Sequence, residues 1–285
     1  MTERTLLVFG MGYSALAIAQ RLRADGWRVI GTTRDPEKAR TLQEVRLEMR
    51  VWPGDDLTAD IAAADHLLVS AAPGPEGDPF LTAYGEALQH ASFRWIGYLS
   101  TTGVYGDRGG AAVDEASALQ PTTKRGQWRQ EAEAGWTSLA EAVGLPLAIF
   151  RLAGIYGPGR GPFAKVKSGS ARRIVKPGQV FSRIHVEDIA TVVCASVARP
   201  EITGIFNVCD DLAAPPQDVI AYAAELLGLP VPKAEAFESA EMSAMARSFY
   251  GESKVVRNNR IKEALDVALK YPTYREGLQA LLQRE

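Results

Sequence analysis

Two glycines in one short turn, Gly10 and Gly12, with Ala15 three residues further on, are the residues here best suited to chemistry. An apolar run, Thr5–Phe9, leads into the turn, and apolar residues at helical spacing (Leu16, Ile18, Ala19, Leu22) follow it. A glycine pair and a small residue in strand–turn–helix context form the fingerprint that seats the pyrophosphate of a dinucleotide. Gly10 permits the tight turn, and Gly12 lets the main chain approach a phosphate with no Cβ between them. Ala15 lets the helix lie close to the strand. The first helical residues, Tyr13, Ser14 and Ala15, then offer free amides and the positive end of the helix dipole to an anion. An ordinary strand-to-helix turn is the structural alternative.

The end of the second strand decides between cofactors. An NAD-selective site commonly places Asp or Glu there, about 20 residues beyond the glycines, on the adenosine ribose. This chain has Ile30-Gly31-Thr32-Thr33-Arg34, without a carboxylate. Arg34, assisted by the Thr32 or Thr33 hydroxyl, could clamp a 2′-phosphate, which favours NADP over NAD. A solvated arginine after a strand is the alternative. Asp35 caps the helix that Pro36 opens. Asp55 or Asp56 either accepts from the adenine amino group or caps the following helix. Ser70-Ala71-Ala72-Pro73 keeps side chains small where a cofactor would cross the strand ends.

The elements that position these residues alternate between strand and helix, the pattern of a parallel, doubly wound α/β sheet of Rossmann type. Strands are expected at 5–9, 28–32, 48–52, 66–70, 95–100, 147–152 and 204–208. Helices are expected at 14–25, 36–44, 79–91, 123–143, 186–197, 216–227, 259–269 and 274–282. Residues 1–155 read as the dinucleotide-binding domain. Residues 156–285 read as a smaller C-terminal substrate lobe, interwoven with late sheet elements over about 183–210.

Composition bounds the partners. The 32 basic and 34 acidic residues nearly cancel, which argues against nucleic acid and against an anionic membrane. No apolar run reaches the roughly 18 residues that span a bilayer, and no cleavable signal is read before the first strand. A cytoplasmic protein acting on a small molecule is expected. Cys194 and Cys209 have no metal-ligand spacing and read as small buried hydrophobes.

Several further segments resemble the extended and atypical short-chain dehydrogenase/reductase superfamily, the NAD-dependent epimerase/dehydratase group. Tyr98–Gly106 is similar to its strand-five motif ending in Val-Tyr-Gly, and Arg151–Gly159 to its strand-six motif. Arg183–Ala190 and Phe206–Asp211 match two later segments, so the likeness runs through nearly the whole chain in order. The resemblance implies that Thr101 stands at the catalytic Ser/Thr position, with Thr102 as the adjacent candidate. It also implies a homodimer paired through helices that include 123–143.

The family's acid, a Tyr four residues before a Lys, is replaced: Arg125 stands at the Tyr position, Arg129 at the Lys position, and Glu133 at a downstream Glu. Arginine stays protonated and cannot exchange a proton. Arg129 could still bind cofactor ribose hydroxyls, and Arg125 could bind an anionic group or lie on a solvated face. Tyr105 and His185 match structural family positions, while Asp114 and Glu115 could serve as carboxylates or merely be solvated. Arg160, Lys165, Lys167, Arg172 and Arg173 could hold a substrate phosphate or carboxylate. By resemblance, the chain is an oxidoreductase or epimerase/dehydratase-like enzyme of atypical mechanism on a small oxygenated, nucleotide-sugar-like substrate. A non-catalytic NAD(P)H-sensing protein is the competing reading.

Overall fold

The computed structural model describes residues 4–284. Its first half alternates β1 (Thr5–Phe9), α1 (Tyr13–Ala24), β2 (Arg28–Thr33), α2 (Pro36–Glu44), β3 (Glu48–Val51), α3 (Thr58–Ala63), β4 (His66–Val69), α4 (Pro79–Gln89), β5 (Trp95–Thr101) and α5 (Lys124–Val143). The strands Leu147–Leu152 and Gly204–Val208 complete a seven-stranded sheet. Its order is Gly204–Val208, Leu147–Leu152, β5, β4, β1, β2, β3, and every pairing is parallel. From β1 the chain builds outward first on the β2 side and then on the β4 side. That reversal opens a crevice above the carboxyl ends of β1 and β4.

Helices cover both faces, so the inner strands are mostly apolar, and every residue of β1 is buried. Alternation sorts them: Leu6 and Val8 face one layer, Leu7 and Phe9 the other. The first layer holds α1 against the helix Val186–Ala198, tied by Arg21 donating to Thr191 at 2.7 Å. The second centres on Phe80, Tyr98 and Trp136, beneath α4 and α5. A third cluster, including Tyr156, Phe163, Ala223 and Leu278, is drawn wholly from residues after 155.

Differences from expectation are local. The helix expected over 259–269 spans only Asn259–Glu263, and Asp266 adopts φ 52°, a left-handed conformation that no helix continues through. Strands of two or three residues, such as Arg173–Val175 paired with Ala234–Ala236, appear where no periodicity announces them. Asp35 caps α2 as expected, its carboxylate accepting from the Glu37 and Lys38 amides at 3.0 and 3.2 Å.

Candidate functional site

The glycine turn leaves β1 at the crevice. Gly10 adopts φ 91°, and a Cβ there would meet the Ala71 backbone nitrogen at 2.7 Å, so only glycine fits. Its amide donates to Thr32 Oγ1 at 2.9 Å, so that hydroxyl accepts from the turn, and Thr32 also lines the cavity described next. Met11 points the other way, into the core, and its amide donates to the Thr32 carbonyl at 2.7 Å. A Cβ on Gly12 would clash with nothing, its nearest neighbours being the Gly10 carbonyl and Ser70 Oγ at 3.9 Å. Gly12 is the N-cap of α1 and no side chain caps that end, so the Tyr13, Ser14 and Ala15 amides have no acceptor among the described residues. The Ser14 and Ala15 side chains are buried beneath the turn and contribute main chain alone.

This open helix end borders a cavity of about 750 Å³. Gly10, Gly12, Thr33, Arg34, Ser70, Ala71 and Ala72 all line it, as does Lys38, which carries no signal in the sequence beyond a lysine on a short helix. A bare anion seat next to small residues at the strand ends fits the diphosphate of a dinucleotide. Asp55 and Asp56 are not brought to it. Asp55 accepts from the Val51 amide at 2.7 Å and Asp56 from Thr58, and the N-cap of α3 is Leu57 rather than either aspartate.

A second cavity, of about 830 Å³, lies beyond β5. Thr101, Thr102 and Arg125 line it, together with Lys124, Tyr156, Arg160, Arg183, Glu252 and Lys254. Thr101 Oγ1 accepts from the Gly103 amide at 3.1 Å, so its own proton stays free to donate. Glu252 and Lys254 pair at 2.6 Å, which leaves the remaining basic side chains to set a positive potential. Of the basic residues beyond 155 singled out above, Arg160 lines the cavity, while Lys165, Lys167, Arg172 and Arg173 do not, and Arg172 pairs with Glu235. The Tyr156 ring forms part of the wall, but its hydroxyl lies 3.4 Å from the Thr273 carbonyl, and burial pushes its pKa up. One side chain joins the two regions: Tyr13 donates its hydroxyl to the Pro158 carbonyl at 2.9 Å, beneath the Arg160 guanidinium.

A buried polar network joins β5, α5 and the strands Leu147–Leu152 and Gly204–Val208. Glu133 accepts from Ser100 and pairs with Arg151 at 2.7 Å, with side-chain exposures of 5% and 2%. Arg151 also donates to Tyr105 (2.9 Å), and Tyr105 donates to Asn207 (2.8 Å). Tyr105 is therefore a core residue. Glu115 accepts from the Asn207 amide at 2.8 Å and Asp114 closes its own turn, so both carboxylates support structure. Arg129 places Nη1 on the Leu99 carbonyl (2.8 Å), on the Tyr98 hydroxyl (3.0 Å), and 3.5 Å from the Ala71 carbonyl. It thus braces the ends of β4 and β5, an engagement that spacing alone did not disclose. His185 is fully buried and caps the helix Val186–Ala198 through Nδ1, its pKa lowered to about 4 by burial. Among the described residues no cluster of metal ligands occurs, and no helix is long and apolar enough to cross a membrane.

No protein-family model matches the chain. Protein YeeZ of Escherichia coli (strain K12) is 30% identical to it, over 94% of this chain and 97% of YeeZ. A functionally unknown conserved protein from Silicibacter pomeroyi DSS is 55% identical, with a TM-score of 0.92 over 99% of each chain. UDP-glucuronic acid 4-epimerase from Bacillus cereus, in complex with UDP-glucuronic acid and NAD, superposes with a TM-score of 0.79 at 18% identity. That match covers 98% of this chain and 99% of the epimerase, and it establishes a common fold. The chain belongs to the family of protein YeeZ and is built on the fold of the extended short-chain dehydrogenase/reductases, the NAD-dependent epimerase/dehydratase group.

Proposed function

We propose that this chain binds a nicotinamide dinucleotide at its glycine turn, NADP in preference to NAD. On this reading it acts as an oxidoreductase or epimerase/dehydratase-like enzyme on a small oxygenated anion, of nucleotide-sugar type, in the adjacent cavity. The observation that carries the reading is the uncapped N-terminus of α1, open to a cavity at the reversal of strand order. The Bacillus cereus epimerase, in complex with NAD and UDP-glucuronic acid, supports it by likeness of fold.

In this proposal Gly10, Gly12 and the amides of residues 13–15 hold the diphosphate, and Arg34 and Thr33 hold the outer phosphate. Residues 1–155 form the cofactor domain, and 156–285 the substrate lobe, interwoven over about 183–210. The bound nicotinamide supplies hydride chemistry. Thr101 donates to the substrate oxygen. Arg125, permanently charged, holds an anionic group with Arg160 rather than exchanging a proton. Proton exchange then falls to a group other than these arginines.

Calorimetric titration with NADPH and NADH tests the reading. Binding is expected, and Gly12→Val should weaken it about tenfold or more, or about 1.4 kcal/mol, by filling the space before the first-turn amides. Failure of both dinucleotides to bind would refute it. A second reading, a non-catalytic NAD(P)H sensor, is favoured by arginines at both positions of the family's Tyr and Lys. NADPH binding without turnover on a panel of UDP-sugars and aldehydes would select the sensor.

A further inference from the structure

Arg183 stands apart from the other cations of the second cavity. It opens the short strand Arg183–His185, which runs parallel to Gly154–Tyr156, and it is half-buried. Its Nη1 donates to the Phe181 and Ala214 carbonyls, each at 2.9 Å, and those two residues form an antiparallel bridge. A guanidinium carries five N–H donors, so Nη1 spends two and leaves three. Nε and Nη2, side by side along one edge, have no acceptor among the described residues and are not sealed off, and Arg183 lines the cavity. No ion pair holds Arg183 among the described residues. Burial lowers its pKa, and the nearby Asp210 offsets this only in part. The Asp210 carboxyl is itself pushed up to about 8 by burial, so at neutral pH it supplies little counter-charge. Glu252, the carboxylate among the described lining residues, is occupied: it pairs with Lys254 at 2.6 Å and accepts from Thr122 at 2.6 Å.

We propose that Arg183 seats a carboxylate of the substrate, so that the cavity takes a sugar acid in preference to the matching neutral sugar. The inference rests on the substrate-cavity reading above and deepens it by naming a group the substrate carries. The open Nε–Nη2 edge presents two parallel donors, the geometry that meets both oxygens of a carboxylate. Arg125 and Arg160 are exposed, so an anion beside them stays hydrated. Arg183 instead sits half-buried in a wall that includes Ala153, Ile155 and Tyr156. A phosphate monoester, at about −1.5 to −2 charges near neutral pH, loses more by desolvation there than a singly charged carboxylate. The two carbonyl bonds fix the guanidinium before a ligand arrives, so little side-chain freedom is lost on binding.

Calorimetry with two matched pairs, UDP-glucuronate against UDP-glucose and glucuronate against glucose, tests this without recourse to turnover. Wild type, Arg183→Gln and Arg183→Lys are each titrated with NADPH present and without it. Wild type should bind the acid of a pair about tenfold more tightly than its neutral partner. Arg183→Gln should abolish that preference while the neutral partners and NADPH change less than about twofold, and Arg183→Lys should retain only part of it. Equal wild-type affinities within each pair, or binding of none of the four sugars, would overturn the proposal. A preference that survives in Arg183→Gln would assign it to the exposed arginines and overturn it too. So would glucose 6-phosphate bound more tightly than glucuronate, with the Arg183→Gln loss falling on the phosphate. Should Arg183→Gln fail to fold, Arg183→Lys still decides, because an undiminished preference without the fork refutes the two-point seat. Failure of wild type to bind NADPH would instead remove the dinucleotide reading, and the sugar pairs measured without it would still judge the seat.

Discussion

Gly31 sits in the middle of β2, where a side chain would ordinarily help a strand, and the structure explains its absence. A Cβ at this position would lie 2.3 Å from Met11 Cε and 3.0 Å from Met49 Sδ. Met11 is 2% exposed and both contacts are the far ends of methionine side chains, so these must shift within a packed layer to admit the methyl. Gly31→Ala should therefore overpack the layer beneath the glycine turn and cost about 1–3 kcal/mol. For a chain of 285 residues, at about 2.1 cal/mol/K of unfolding entropy per residue, that corresponds to a fall of about 2–5 °C in melting temperature. Urea unfolding, with the midpoint lowered at constant slope, measures the same loss independently. Met11→Ala alone should cost about 2–5 kcal/mol by opening a cavity. Combined, the new methyl enters the space that Met11 vacates, so the double variant should be at least about 1 kcal/mol more stable than the sum of single losses. Additive losses would refute the interlock between turn and strand.

Two shorter predictions concern buried polar groups. Glu133→Leu should cost about 3–5 kcal/mol in urea unfolding, because Arg151 is left charged and unpaired at 2% exposure; adding Arg151→Met should recover most of it. A loss below about 1 kcal/mol would show that the pair is not the anchor of the network. Burial holds both His66 and His185 near pKa 4, below the 6.5 of the unfolded chain. The unfolded state thus binds more protons between those values, so their stabilisation is complete above pH 6.5 and is lost as pH falls toward 4, by at most about 3 kcal/mol each. Urea midpoints across that window should fall with acidity, and less steeply in His66→Gln; an identical slope would count against His66.

Much of the frame was legible because local signals agreed. Asp35-Pro36 marks the start of α2 by a cap and a preset φ, and the run Leu147–Leu152 has the length and apolarity of a doubly covered strand. The turn at Gly10 and Gly12 was legible for the same reason: strand, glycines and helix are contiguous in sequence. What escaped depends on partners far along the chain. Three-residue ladders such as Arg173–Val175 with Ala234–Ala236 have no period to detect. Lys38 looks like any helix-surface lysine until α2 turns it to the cavity, and the brace formed by Arg129 depends on strand ends 30 and 58 residues away. Asp55 and Asp56 were ambiguous by nature, since a carboxylate after a strand serves a ligand or its own turn, and here each closes on neighbouring backbone.

Strands covered on both faces offer apolar residues at every step, so alternation says little about how far one should slide along its neighbour. Arg151 breaks that ambiguity in the strand Leu147–Leu152. A slip of one residue would turn its guanidinium away from α5, toward the layer that holds Phe150 and Leu152, and strand Glu133 without its cation. Only the alignment that sets Ser100 opposite Arg151 and Thr101 opposite Leu152 is free of that penalty. The heights at which Thr101 and Ala153 emerge into the second cavity are thus fixed from below, by a charge that does not itself line it.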